Sequence, residues 1–508
     1  MIHRTSSFVL VGATAEPCGI EVDLSPHGLP TMGIVGLPDA AVRESAERVR
    51  TAVRNAGFDW PRSRLTVNLA PADRRKEGPV YDLPIAIATL ACAGAITPER
   101  DGGRRIEGWV MGGELALDGS IRPIRGTLAM AALARRSGAL GVLVSNRSRS
   151  EASLVQGLEV VGVDHLVQVV EFLSGGDPPE MAPVCSSGVL SAASEAQDLV
   201  GGRFDRIRGQ AAACRAAEIA AAGGHNLLLV GPPGCGKTML ARGLAEILPP
   251  LDDEAALESA MVRSIAGMPT EARGFRTPPF RAPHHTSSPA ALVGGGSIPR
   301  PGEVSLAHRG VLLLDEFAQF PSAAIDALRE PLEDGMVTVS RASGTMRFPA
   351  DVLVVATLNP HRDRRRRSGG GSPGLDRIGG PMLDRFDLHV SMRPPPLRSL
   401  LEAPPAVGAA LEARRRVANA RMIAASRGDG LNAGLGGEAL ERLVPLERVD
   451  LEHLVRAVEE LGLSVRAFDR VRRIARTIAD LERSDRVARH HLDEAIAHRL
   501  LDRDRIDD

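Results

Sequence analysis

The stretch Gly231-Pro232-Pro233-Gly234-Cys235-Gly236-Lys237-Thr238 decides how the fold of this chain is interpreted. It follows an apolar run, 227–230, and precedes a helical pattern over 239–244. Glycines at such a strand-to-helix turn let successive backbone N–H groups point at phosphate oxygens beside a helix N-terminus. Lys237 then reaches the β and γ phosphates, and the Thr238 hydroxyl binds Mg²⁺. The motif predicts a loop for ATP and Mg²⁺; the alternative is a glycine-rich turn that binds nothing.

Lysine is nearly absent from the chain. Of the 62 basic side chains, only Lys76 and Lys237 are lysines. A lysine kept at position 237 in an arginine-rich background indicates that its chemistry matters there.

Polar side chains follow two later apolar runs. Val311–Leu314 ends in Asp315 and Glu316, which suit Mg²⁺ binding and water activation, respectively. Two acids in this position are by themselves more often an ordinary strand end, but the phosphate loop upstream reverses that preference. Asn359 follows the next apolar run and is suited to orient the attacking water. The alternative for Asn359 is an Asn-Pro turn with Pro360.

Two arginines are candidates for transition-state stabilisation. Arg385 is a candidate arginine finger that would serve a neighbouring subunit. In an arginine-rich chain, an ion pair of Arg385 with Asp384 or Asp387 is the ordinary alternative. Arg466 lies in a predicted helix, where a solvated basic face is the competing interpretation.

The chain divides by composition into three structured parts. Residues 1–175 alternate strands and helices, and 176–197 have the Gly, Pro and Ser content of a linker. Residues 198–394 alternate again around apolar strands that suit a buried parallel sheet. Residues 395–508 read as helices after a proline-rich start. The predicted fold is α/β, with a C-terminal helical domain.

The composition limits which partners and which cellular compartment the sequence favours. The net charge is −1, so a nucleic-acid partner would need a local basic patch. The five cysteines form no CxxC pair, which argues against a disulfide framework or a zinc site and favours a reducing cytoplasm. No run of about 18 apolar residues is present, so we expect a protein that is neither exported nor membrane-bound.

At these residues the chain resembles the magnesium-chelatase-like branch of the AAA+ ATPases, and most closely the bacterial ComM (YifB) family. Beyond the phosphate loop, the resemblance rests on the long motifs Phe280–Ser288, Gly302–Gly310 and Gly380–Asp387. It covers nearly the whole length of the chain.

The resemblance implies roles for three site residues. Asn359 corresponds to sensor 1, Arg385 to the finger acting in trans, and Arg466 to the sensor-2 arginine of the helical lid. It also implies a homo-oligomeric ring, a hexamer, acting on single-stranded and branched DNA. Family members with known roles move branched DNA during recombination and natural transformation, which implies a DNA-stimulated, helicase-like ATPase. The alternatives are a chelatase- or chaperone-type motor on a protein or metal-porphyrin partner, and a nucleotide-dependent scaffold.

One segment departs from the family pattern. Many relatives carry cysteines after sensor 1, whereas this chain has a basic loop that either grips DNA phosphates or is merely solvated. The candidate DNA contacts in it are Arg362, Arg364, Arg365, Arg366 and Arg367. By resemblance, the insertion 275–301 and the predicted hairpin 337–348 also face DNA.

The first part of the chain resembles the Lon-protease and ribosomal S5 fold. Gly78-Pro79 is followed by Val80 where the protease nucleophile is expected, and the expected lysine falls near Leu128. Without a Ser/Lys dyad, we expect no proteolysis.

Overall fold

The computed structural model describes residues 2–25, 29–96, 106–179, 201–296, 299–341, 344–359, 378–395, 407–461 and 465–499. The predicted linker, 176–197, lies mostly outside these ranges. The described residues form two α/β bodies and a set of C-terminal helices.

The N-terminal body is built on a mixed sheet. Its strands are β1 (Ile2–Val11), β2 (Thr14–Ser25), β3 (Met32–Val35), β4 (Arg64–Ala70), β5 (Trp109–Met111), β6 (Glu114–Leu115), β7 (Ile121–Arg122), β8 (Gly141–Ser145) and β9 (Glu159–Val163). Seven of them form one sheet in the order β3-β4-β2-β1-β5-β8-β9, while β6 and β7 form a separate hairpin. The helices are α1 (Ala40–Asn55), α2 (Asp82–Cys92), α3 (Thr127–Arg136), α4 (Arg149–Ala152) and α5 (Leu166–Leu173).

Local sequence explains the start of α1 and the burial of α2. The Asp39 side chain accepts a hydrogen bond from the Val42 backbone N–H, which satisfies one of the free donors of the first turn of α1. Apart from Asp82 and Thr89, the α2 sequence is apolar all round, and every residue of this helix is buried. Such a helix belongs inside a core rather than on a surface.

The second body contains the predicted parallel sheet. Its strands are β10 (Leu227–Val230), β11 (Phe280–Arg281), β12 (Gly294–Gly295), β13 (Arg300–Pro301), β14 (Val311–Leu314), β15 (Met336–Arg341), β16 (Gly344–Pro349), β17 (Leu353–Leu358) and β18 (Leu388–Ser391). Five of them are parallel and lie in the order β11-β14-β17-β10-β18. Their polar carboxyl ends therefore meet at one edge of the sheet.

Helices cover this sheet and continue into the C-terminal part. They are α6 (Ala211–Gly223), α7 (Lys237–Ile247), α8 (Asp253–Ala266), α9 (Pro289–Val293), α10 (Glu303–Leu306), α11 (Ser322–Ala327), α12 (Arg329–Asp334), α13 (Gly380–Leu383), α14 (Ala409–Ser426), α15 (Gly437–Leu443), α16 (Arg448–Glu460), α17 (Val465–Leu481) and α18 (Arg489–Ala497). Apolar residues of α6, α7, α14 and α17 share one buried core. The predicted α/β fold with C-terminal helices is confirmed.

The N-terminal body packs on the second body through α3 and α8. The backbone N–H of Gly126 donates to the Ser264 carbonyl oxygen at 3.2 Å, and that of Leu128 donates to Ser264 Oγ at 3.3 Å. Ala260 and Ile265 of α8 belong to the same buried apolar cluster as α3. The two bodies therefore share a core along this contact.

Candidate active site

The phosphate loop joins β10 to α7, as its sequence predicts. Gly236, directly before α7, has φ +98°, a conformation that glycine adopts at little cost. Among the described residues, no heavy atom lies within 4 Å of where a Cβ would stand on Gly234 or Gly236. The space in front of the loop is thus open, and backbone donors and a helix N-terminus border it, which fits a nucleotide phosphate.

Lys237 is held over the loop by neutral acceptors. Its Nζ donates to the carbonyl oxygens of Gly231 at 2.6 Å and Pro232 at 2.9 Å, and to Asn359 Oδ1 at 2.9 Å. The side chain is buried, with 7% exposed. These contacts use the three hydrogens of an ammonium group and aim the charge at the mouth of the loop.

Thr238 and Asp315 meet beside the loop. Thr238 Oγ1 donates to Asp315 Oδ2 at 3.1 Å, and Thr357 Oγ1 donates to Asp315 Oδ1 at 2.6 Å. Hydroxyl and carboxylate oxygens are the ligands that Mg²⁺ prefers, so Thr238 and Asp315 are placed to hold it. Thr357 fixes the orientation of the carboxylate.

Glu316 and Asn359 lie next to each other at the same edge of the sheet. Asn359 Nδ2 donates to Glu316 Oε1 at 3.5 Å, while Asn359 Oδ1 accepts from Lys237. A hydrogen-bonded chain therefore runs from Lys237 through Asn359 to Glu316. Glu316 has φ +53°, an uncommon left-handed conformation for a residue other than glycine, and its N–H donates to Thr357 Oγ1 at 2.9 Å.

Arg385 lies at the opposite edge of the sheet. Its carbonyl oxygen accepts from Asn226 Nδ2 at 3.0 Å, and Asn226 immediately precedes β10, whereas the phosphate loop follows it. The four residues of β10 rise about 3.3 Å each, so they separate the two edges by about 13 Å. The Arg385 guanidinium forms its ion pair with Glu333, not with the neighbouring aspartates that the sequence suggested.

A cavity of about 650 Å³ brings Arg385 and Arg466 together, along with Arg470 and Arg473. Arg470 is mostly buried, with its Nε 3.4 Å from Asp387 Oδ1, and burial lowers its pKa from the ordinary value. Arg470 is therefore not part of a solvated basic face. Arg466 is exposed and has no hydrogen bond or ion pair with the described residues.

Some predicted contacts lie outside the described residues. These are the arginines of the basic loop, Arg362, Arg364, Arg365, Arg366 and Arg367. The insertion 275–301 is described except for 297–298, and in it the rings of His284 and His285 stack with centroids 4.2 Å apart. The hairpin expected at 337–348 is formed by β15 and β16.

Comparisons with known proteins point to the same family along most of the chain. Models of "Magnesium chelatase, subunit ChlI", of "Subunit ChlI of Mg-chelatase" and of "Magnesium chelatase, subunit ChlI C-terminal" match residues 203–400, 20–148 and 409–499, respectively. The Salmonella typhimurium protein YifB is 40% identical over 97% of this chain and 96% of its own length. The Haemophilus influenzae competence protein ComM is 40% identical over the same shares. The chain belongs to the YifB and ComM family of magnesium-chelatase-like AAA+ proteins.

A magnesium-chelatase subunit matches only part of this AAA+ chain. The 67 kDa magnesium-chelatase subunit of Chlorobaculum parvum is 32% identical over 32% of this chain and 21% of its own length. Among the described residues of this family member, none of the helices is long and apolar enough to cross a membrane.

Sequence reasoning missed two residues of the AAA+ site. The first is Thr357, which lies within β17 because this strand continues to Leu358, directly before Asn359. The available signal was a polar residue in an apolar run, two positions before Asn359 and hence on the same side of the strand. Glu333, the partner of Arg385, carries no such signal because the contact spans 52 residues of sequence.

Proposed function

We propose that this AAA+ protein hydrolyses ATP with the residues at the carboxyl edge of its parallel sheet. The observation that carries the proposal is the hydrogen-bonded chain Lys237–Asn359–Glu316 beside the Thr238–Asp315 pair. It combines a cation for phosphate, two oxygen ligands for Mg²⁺ and a carboxylate for the attacking water.

Each side chain has a defined task in this reaction. Glu316 takes a proton from the water that attacks the γ-phosphorus, and the bond between that phosphorus and the β–γ bridging oxygen breaks, which leaves ADP and phosphate. Asn359 orients the water and holds Lys237 on the γ-phosphate side. Thr238 and Asp315 hold Mg²⁺, which when bound neutralises charge on the phosphate oxygens.

The arginines at the opposite edge fit a ring arrangement. Arg385 is separated from its own phosphate loop by the length of β10, so we assign it to the nucleotide of the next subunit, together with Arg466. A finger of this kind stabilises charge in the transition state. We propose a closed ring, a hexamer, in which each site is completed by its neighbour.

We further propose that hydrolysis drives the remodelling of single-stranded and branched DNA. Similarity to the competence protein ComM over 97% of the chain supports a role in handling incoming DNA. The basic loop after Asn359 supplies candidate phosphate contacts, Arg362, Arg364, Arg365, Arg366 and Arg367. The competing function is a chelatase-type motor, which the partial match to the Chlorobaculum subunit favours.

One experiment separates these functions. ATPase rate is measured without DNA and with single-stranded, duplex or forked DNA, using the Lys237→Ala protein as the blank for contaminating activity. The proposal expects the rate to rise with single-stranded or forked DNA and expects forked substrates to be converted. A rate that no DNA changes, but that a porphyrin and Mg²⁺ substrate raises, would assign the chelatase function instead.

A further inference from the structure

A second cavity lies between the N-terminal body and the core. It encloses about 560 Å³, within the range of small-ligand sites. Phe8, Val80 and Ile124 line it from the N-terminal body, and Arg300 and Met346 line it from the core. Val80 occupies the position at which a protease of this fold would have its nucleophile. Because valine cannot attack a substrate, this apolar wall suits ligand binding and not acyl transfer.

Most charged groups on the wall are already paired. The pairs are Arg74 with Glu16 at 3.3 Å, Arg75 with Glu77 at 3.8 Å and Glu114 with Arg122 at 3.1 Å. Apart from these pairs, the charged residues of the lining are Asp73, Arg125 and Arg300, so the two arginines leave a net positive charge of one at the cavity.

Arg125 and Arg300 differ from the other charged residues of the cavity. Neither guanidinium group has a hydrogen bond or ion pair with the described residues, and Arg125 lines the cavity from the N-terminal body while Arg300 lines it from the core. Both residues are exposed, and partial burial, then the positive charge of Arg300, lower the pKa of Arg125. The Arg125 side chain runs over Gly267, with its Nε 3.2 Å from where a Cβ on that glycine would stand. Two like charges placed at one cavity are stabilised by an anion between them.

We propose that this cavity binds a nucleoside phosphate, with the phosphate between Arg125 and Arg300 and the base against the apolar wall. A guanidinium binds phosphate through two parallel hydrogen bonds, and two of them can share one phosphate. The carboxylate of Asp73, which is in none of these pairs, is an acceptor for the exocyclic amino group of a base.

The ligand is either a free nucleotide or one nucleotide of a single strand. The second source, a nucleotide within a single strand, rests on the proposed DNA function and is favoured by the position of the cavity. β13 and β16 on the cavity wall belong to the insertion and hairpin that the sequence predicts to face DNA. A peptide carboxylate would also suit the arginines, and we treat it as an outcome of the test.

The test uses Lys237→Ala protein, so that the phosphate loop does not contribute to binding. Fluorescence anisotropy gives the Kd of labelled deoxycytidine decamer, and competition gives that of dCMP. Removing both guanidinium groups, in Arg125→Ala with Arg300→Ala, should weaken binding of both probes about a hundredfold, since hydrogen bonds to charged groups are lost. The salt slope for the decamer should fall by about 0.7, one phosphate contact.

Two further variants keep the result interpretable. Ile124→Trp retains both arginines but fills the cavity, and should also weaken binding of dCMP. Arg54→Ala is the matched control, because Arg54 is an exposed arginine on α1 outside the cavity lining. It should change neither affinity, and thermal melting should show all variants folded.

The outcomes separate the cavity from the proposed function. Unchanged affinity for both probes in the arginine and Ile124→Trp variants overturns the cavity proposal, whatever DNA does to the ATPase. Binding of dCMP that requires both arginines, together with an ATPase rate of the wild-type protein that DNA does not change, supports a free-nucleotide site and contradicts the DNA function. Arginine-dependent binding of a hexapeptide with a free carboxyl terminus, without binding of dCMP, makes the cavity a peptide site and overturns the proposal.

Discussion

Glu316 has a strained backbone conformation that orients its side chain. Its left-handed φ of +53° costs on the order of 1–2 kcal/mol for a residue with a Cβ. The hydrogen bond from its N–H to Thr357 Oγ1 holds this conformation, which turns the carboxylate toward Asn359. Strain of this kind is retained where it places a reacting group.

Glu316→Gln should separate binding from chemistry. The amide keeps the shape but cannot take the proton, so we expect ATP affinity to stay near wild type and turnover to fall by about 10²–10⁴-fold. Lys237→Ala should instead lose nucleotide binding. Binding is measured with a fluorescent ATP analogue and turnover by phosphate release, with exposed Glu330→Gln as the control. Wild-type turnover in Glu316→Gln would remove Glu316 from its assigned role.

Thr357→Val should act through Asp315. The substitution keeps the volume but removes the 2.6 Å hydrogen bond that orients the Asp315 carboxylate, together with the acceptor of the Glu316 N–H. Loss of such a supporting contact commonly weakens metal binding about 10- to 100-fold. We therefore expect the Mg²⁺ concentration for half-maximal ATPase to rise by about that factor, while saturating Mg²⁺ restores only part of the rate because Glu316 has also lost its acceptor. Thr51→Val, on α1, is the control, and an unchanged Mg²⁺ dependence would show that Asp315 needs no support.

Single residues of the site differ in how far sequence could predict them. The phosphate loop is local, so Gly231 to Thr238 and their geometry follow from one contiguous motif. Asp315, Glu316 and Asn359 are predictable because the carboxyl ends of parallel strands meet at one edge. Thr357 needed the true end of β17, and Glu333 needed a contact between distant segments.

At the scale of elements, β10 separates the phosphate loop from the cavity that contains the arginines. The phosphate loop stands at its carboxyl end, and the cavity with Arg385 and Arg466 includes Asn226 at its amino end. The continuous apolar runs predicted this sheet because strands buried on both faces lack alternation. The direction in which the arginine side chains of α17 point was not predictable, since it depends on how α17 packs against α6 and α14.

Arg385→Ala tests this arrangement. ATP affinity should stay nearly intact, whereas turnover should fall by about 10³-fold, as for other arginine fingers. Mixed with Lys237→Ala subunits, which keep their arginine, Arg385→Ala subunits should recover part of the activity. Each protein alone is the control, and mass photometry confirms mixed rings. Absence of rescue in such rings would place the action of Arg385 within its own subunit.

At the scale of the whole molecule, the N-terminal body touches an element that the sequence predicts to face DNA. Gly12, in the turn between β1 and β2, has φ +60°, and a Cβ on it would stand 2.2 Å from the Arg347 carbonyl oxygen of β16. Ala13 beside it packs on the apolar cluster of the core that includes Phe348. Movement of the β15–β16 hairpin would therefore be transmitted to the N-terminal sheet. Sequence patterns predicted both partners but not this contact, because no local signal marks it.

Gly12→Ala should loosen that contact without unfolding either body. The added methyl group meets backbone rather than a flexible side chain, so the turn must move away from β16. We expect faster hydrogen exchange in Gly344–Pro349 and, under the proposed function, a smaller ratio of DNA-stimulated to basal ATPase. Gly157→Ala, in the N-terminal body, is the matched control, because Gly157 also has a positive φ, +75°, and among the described residues no heavy atom lies within 4 Å of a Cβ there. Equal exchange in the two variants would mean that the N-terminal body and the hairpin move independently.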